Sequence, residues 1–107
     1  MKTVYIASPY TIGDVVLNVR KSIEAADILL KCGFIPFVPL LTHFWHFISP
    51  KPADIWYWYD NEWVKKCDFL LRLEGESIGA DKEVLLAEEN NIPVFYSIQD
   101  LFDKEGE

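Results

Sequence analysis

Apolar and polar positions alternate along this chain in blocks that switch between strand and helix periods. Thr3-Val4-Tyr5-Ile6-Ala7 is a compact β-branched and aromatic run that ends at Ser8-Pro9. It reads as a buried first strand. Asp14 is placed to cap a helix entering at Val15. Val16, Val19, Ile23, Ala26 and Leu30 then recur at steps of three and four, which predicts one apolar helical face. Gly33 is placed to stop that helix. Phe34 to Val38 is a second strand, and Pro36 puts it at a sheet edge because proline cannot donate to the ladder. Pro39 to Pro52 reads as a long, aromatic-rich loop that holds both histidines.

The pattern continues with a helix over Ala53 to Lys66 and a strand over Cys67 to Leu73. A polar turn follows over Glu74 to Ile78, then a helix from about Gly79 to Asn91. Ile92 to Tyr96 is a short last strand. A helical turn over Asp100 to Lys104 ends the pattern, and the charged residues Lys104 to Glu107 are expected to fray. Strands that alternate with helices imply right-handed crossovers and a parallel sheet. The expected fold is α/β: a flavodoxin-like (Rossmann-like) three-layer domain over residues 1–107. Its parallel sheet has four to five strands in the order 2-1-3-4. Ligands of such sheets bind beyond the carboxyl ends of the strands. That edge collects Ser8-Pro9-Tyr10, the Leu40 to Phe47 segment and Glu74 to Asp81.

Composition narrows the function. Half of the 107 residues are hydrophobic and 15% are aromatic, enough for a real core. A net charge of −7 opposes binding to long nucleic acid. A small anion remains acceptable, because backbone amides at a helix start act locally. Cys32 and Cys67 form no CxxC motif and read as buried reduced thiols. No secretory leader or membrane span is expected, so the expected location is cytoplasmic.

Asp60 is the first chemical signal. Trp56, Asp60, Trp63 and Cys67 fall at steps of four, three and four, so a carboxylate shares the aromatic stripe. Such a group is either held structurally or used in chemistry. Glu83 lies one turn into the third long helix beside Ala80, Val84 and Ala87. By itself it reads more readily as a complement to the helix dipole than as a reacting group. Gly75-Glu76-Ser77-Ile78-Gly79 lacks both the P-loop ending and the dinucleotide spacing. Ser77 is a cap that could also touch ligand. His43 and His46 have no cysteine or acidic cluster at metal spacing, so no metal is expected. His43 is expected to line the pocket or bond a carbonyl. The aromatic cluster Phe44, Trp45, Phe47 and Trp56 to Tyr59 exceeds what a core needs. It suits stacking on a base or packing between subunits.

Four segments carry a family resemblance that spans nearly the whole chain. They are Val4 to Tyr10, Pro39 to His43, Asp60-Asn61-Glu62-Trp63 with Cys67-Asp68, and Ser77 to Glu83 followed by Ala87 and Ile92-Pro93-Val94. The chain resembles the nucleoside 2-deoxyribosyltransferase-like superfamily, which includes small nucleotide N-hydrolases. The resemblance implies that Glu83 is a nucleophile toward the anomeric carbon of a nucleoside or its 5′-monophosphate. It implies that Asp60 protonates the leaving base or orients the sugar, and that Tyr5 hydrogen-bonds near the nucleophile. Ser8, Pro9, Tyr10, His43, Ser77 and Gly79 become the expected substrate-binding residues. A serine six positions before the nucleophile marks the hydrolases, where the transferases tend to have an aspartate, so Ser77 favours hydrolysis over base exchange. The loop Ser8-Pro9-Tyr10-Thr11 lacks the arginine of those hydrolases, which leaves Arg72 and Lys82 as possible phosphate contacts. The resemblance implies no cofactor, a small-molecule nucleoside or nucleotide as ligand, and a homodimer or larger homo-oligomer. Another class also fits: a nucleotide-binding module that has lost turnover.

Overall fold

The structure, a computed structural model, describes residues 2–105. Four strands form one parallel sheet: β1 (Thr3–Ala7), β2 (Ile35–Phe37), β3 (Phe69–Arg72) and β4 (Val94–Phe95). Their order is β2-β1-β3-β4, as the strand–helix alternation predicts. The helices are α1 (Val15–Lys31), α2 (Thr42–Ile48), α3 (Ala53–Lys66), α4 (Ile78–Glu89) and α5 (Ile98–Glu105). Lys104 and Glu105 therefore belong to a helix, and the rest of the tail expected to fray lies outside the described residues. No helix among the described residues is long and apolar enough to cross a membrane.

The sheet separates two cores. Val4 and Ile6 of β1 and Phe69 and Leu71 of β3 face one side, where Ala25 and Leu29 of α1 and Leu101 of α5 cover them. Tyr5 and Ala7 of β1 and Leu70 of β3 face the other side, with Val64 of α3 and Ala80, Val84 and Ala87 of α4. The strand period of two divides the residues in this way. Strands so nearly continuous in apolar residues are those of a parallel sheet covered on both faces. The mixed α/β architecture and all-parallel sheet are those of the flavodoxin-like class.

Three local expectations are corrected. The α1 face is displaced by one position: its buried residues are Ser22, Ala25 and Leu29, whereas Val16 and Leu30 are exposed. Ser22 can be buried because its hydroxyl donates to the Val19 carbonyl at 2.8 Å. A count of apolar residues does not see such a serine. The segment Pro39 to Pro52 is mostly helical rather than a loop. A 3-10 turn over Pro39–Leu41 leads directly into α2. The Thr42 hydroxyl closes that turn by donating to the Pro39 carbonyl at 2.7 Å. No α2 residue is buried, so the sequence there carries no helical period to detect. Finally, Cys67 is buried as expected, but Cys32 at the carboxyl cap of α1 is exposed.

Pro36 does sit in an edge strand, opposite Val4. Asp14 caps α1 by accepting from the Leu17 amide at 3.1 Å. Asn91, in the left-handed region at φ 59°, follows the end of α4, which is therefore shorter than expected.

Candidate active site

A cleft of about 900 Å³ opens at the carboxyl ends of β1 and β3. Ser8, Tyr10, His43, Asp60, Ser77, Gly79 and Glu83 all line it. Two other expected residues lie behind its wall. Tyr5 is fully buried beneath the cleft. Pro9 is buried and packs on Gly75, where a Cβ would stand 2.7 Å from the Pro9 Cγ. Gly75 also has φ +118°, so both its backbone and its neighbour demand glycine. Pro9 therefore shapes the turn over 73–77 and is not among the cleft-lining residues, in contrast to its expected place.

Glu83 enters from the second turn of α4. Ser77 starts that helix, its hydroxyl accepting from the Ala80 amide at 3.1 Å. Ala80, Val84 and Ala87 bury one side of α4 against the sheet, and Glu83 is carried on the edge of that side. The buried Tyr5 hydroxyl reaches it, donating to Glu83 Oε2 at 2.6 Å. Burial pushes the Glu83 carboxyl up to about 7, and the Tyr5 hydrogen bond opposes that rise. The charge of Asp60 pushes it up further, and Arg72 pulls it down. The same environment holds the Tyr5 phenol well above its usual range, first through burial and then through the charges of Glu83 and Asp60.

Asp60 approaches from α3, on the partly buried side that carries Trp56 and Trp63. Its Oδ1 is buried without a hydrogen-bond partner. Burial alone raises this carboxyl to about 7. Two carboxyls thus line one cleft, and burial raises both to about 7. With both midpoints near 7, each carboxyl is available in neutral and ionised form near neutral pH, which acid–base work by paired carboxylates needs. Ser8 Oγ is likewise buried with no partner at the end of β1.

The rim of the cleft is aromatic. Tyr10 and His43 are hydrogen-bonded through the phenol and Nδ1, which joins the segment after β1 to α2. His46 Nδ1 accepts from the Trp56 indole at 2.8 Å and from the Lys51 amide at 3.2 Å. His46 thus fixes the orientation of Trp56. Among the described residues no group of three His, Cys, Asp or Glu side chains is arranged to hold a metal ion. Phe44, Phe47, Ile48, Tyr57 and Trp58 are largely exposed, and of these Tyr57 lines the cleft.

Arg72 is not a free phosphate contact. It is buried, and its guanidinium donates to the Leu73 and Gly75 carbonyls and to Asp81 Oδ1. Lys82 does line the cleft. So do Thr42 and Lys51, which the sequence did not single out as ligand contacts, and Tyr57 of the aromatic cluster. Thr42 adjoins His43 in one of the motif segments, whereas nothing in the local sequence marks Lys51.

A family model matches residues 2–97, which span every strand and all of the cleft-lining residues. The chain belongs to the family described as Domain of unknown function (DUF7768). The match to DUF7768 runs from β1 through β4. No curated protein matches the chain in sequence. Among solved structures, it is similar to a 2-deoxyribosyltransferase from the psychrotolerant bacterium Bacillus psychrosaccharolyticus. The TM-score is 0.68 at 19% sequence identity, and the match covers 86% of this chain and 69% of that one. At that identity the likeness establishes a shared deoxyribosyltransferase-like fold.

Proposed function

We propose that this chain cleaves the N-glycosidic bond of a nucleoside, deoxynucleoside or 5′-monophosphate, with hydrolysis favoured over base exchange. One observation carries the reading: Glu83 is tethered by the buried Tyr5 hydroxyl in the cleft that Asp60 also lines. The fold shared with a 2-deoxyribosyltransferase supports a nucleoside as the class of substrate. Ser77, the cap of α4, supports the hydrolytic branch.

The ionised Glu83 attacks the anomeric carbon and forms an ester as the carbon–nitrogen bond breaks. The electron pair of that bond leaves with the base, and the neutral Asp60 supplies its proton. Water then attacks the same carbon, Asp60 takes its proton, and the sugar leaves Glu83. Near neutrality Tyr5 favours the ionised form of Glu83, and the apolar stripe around Asp60 favours its neutral form. Burial raises both carboxyls to about 7, and the Tyr5 hydrogen bond to Glu83 is what distinguishes the two environments.

A panel of deoxynucleosides, ribonucleosides and their 5′-monophosphates, assayed for free base, tests this. Base is released from at least one of them, and Glu83→Ala lowers that release by about a thousandfold or more. A second free base added to the reaction separates the branches, since transfer yields a new nucleoside. Tight binding without any release would overturn the reading in favour of a binding module.

A further inference from the structure

We infer that Arg72 is a positioning residue for Glu83, clamping the turn over 73–77 to the first turn of α4 so that the Glu83 carboxyl meets the cleft. The inference rests on the function proposed above for its kinetic consequence, and on geometry alone for the rest.

Arg72 is the last residue of β3, in register with Ala7 of β1. Residues alternate along β3, so Arg72 shares with Leu70 the face turned toward α3 and α4. Its side chain is 9% exposed, which for an arginine requires near-complete pairing. The guanidinium meets that requirement with three acceptors. Two are the carbonyls of Leu73 and Gly75, the latter at 2.9 Å. The third is Asp81 Oδ1, also at 2.9 Å and two residues before Glu83. One rigid fork thus spans the strand end, the glycine turn and the helix start. A lysine has the charge but not the planar set of donors.

The charged and titratable groups that face Glu83 are Tyr5 from β1, Asp60 from α3 and Arg72 from β3, with Asp81 and Lys82 beside it on α4. Arg72 is the cation whose field lowers the Glu83 titration, although Asp81 offsets part of its charge. Asp81 itself is 69% exposed, so water screens its direct action on Glu83.

The test combines carboxyl-carbon NMR titration with steady-state base release. Protein labelled at glutamate is titrated as wild type, Arg72→Met, Arg72→Lys and Asp81→Asn, with the Glu83 signal assigned by its loss in Glu83→Gln. Arg72→Met moves the Glu83 midpoint up by about half a pH unit or more, and Asp81→Asn moves it down. Arg72→Lys keeps the midpoint but lowers kcat about tenfold with KM nearly unchanged. The acidic limb of the kcat profile moves with the NMR midpoint. A folded Arg72→Met protein whose Glu83 titrates as in wild type overturns the inference. If Arg72→Met does not fold, an unmoved or raised midpoint in Asp81→Asn overturns it. If the wild type releases base from no substrate, the proposed function fails while the titrations still decide the role of Arg72.

Discussion

The two faces of this sheet come from the same strands and do different work. Beneath α1 and α5 the buried set is Val4, Ile6, Ala25, Leu29, Phe34, Val38, Phe69, Leu71 and Leu101, with the self-satisfied Ser22 of α1 as its polar member. Beneath α3 and α4 the residues are smaller, with Ala7, Ala80 and Ala87 replacing bulky side chains, and two strand positions are polar: Tyr5 and Arg72. A shift of one residue along β1 or β3 crosses from one regime to the other. One face supplies the burial energy that lets the other keep partly buried carboxyls, a phenol and a guanidinium. Under the proposed function, stability and chemistry therefore fall on separate faces, and substitutions on the two faces are expected to give different signatures.

The largest effect is expected on the apolar face. Leu71→Ala removes a fully buried side chain from the middle of the core and costs about 2–5 kcal/mol of unfolding free energy, read by urea denaturation. Because Leu71 contributes only packing, that cost is the same at pH 5 and pH 8. Comparable pH dependence in Leu71→Ala and in substitutions at the cleft would contradict the separation.

Glu83→Gln is the counterpart on the cleft face, with a smaller effect of opposite sign. Burial raises the folded-state pKa of Glu83 from about 4.5 to about 7. The folded protein therefore binds the proton more tightly than the unfolded chain. The stability this group contributes is complete below its unfolded pKa and is lost as pH rises through about 7. Glutamine avoids that loss. The variant gains about 1–3 kcal/mol over wild type between pH 5 and pH 8, while its base release disappears. Paired urea melts at the two pH values measure the gain. A loss of stability at pH 8 would mean that Tyr5 and Arg72 outweigh burial.

The same contrast explains what could be read from the residues alone. Local patterns carried the strand order, the α3 register and the odd place of Asp60, because each is a matter of spacing within one segment. Asp60 stood out because a carboxylate between Trp56 and Trp63 breaks a stripe. The shifted face of α1 was hidden because Ser22 counts as polar and yet satisfies itself on the Val19 carbonyl. The helical turn of α2 was hidden because a helix with no buried residue has no apolar period. Arg72 looked like a free cation until the turn over 73–77 folded back onto it. Tyr5 and Glu83 lie 78 residues apart in the chain. Nothing local joins them, and only the family resemblance suggested that they meet.

The finest division between the faces runs through that one bond. Tyr5→Phe deletes a single oxygen and leaves the ring, which packs on Phe37 at 5.6 Å. Below about pH 5 Glu83 is neutral, and the lost hydrogen bond costs about 1 kcal/mol. Above neutrality Glu83 is ionised, and a hydrogen bond to a charged acceptor is worth about 1.5–3 kcal/mol. The destabilisation therefore grows with pH, opposite in direction to the gain expected for Glu83→Gln. Without its donor the carboxylate is harder to form, so the acidic limb of base release moves to higher pH and kcat near neutrality falls about tenfold. Melts of Tyr5→Phe, Glu83→Gln and the double variant close a cycle. A coupling that is absent at pH 5.0 and at pH 8.0 would mean that the phenol only fills space, and that the chemical face begins at α4 and not within β1.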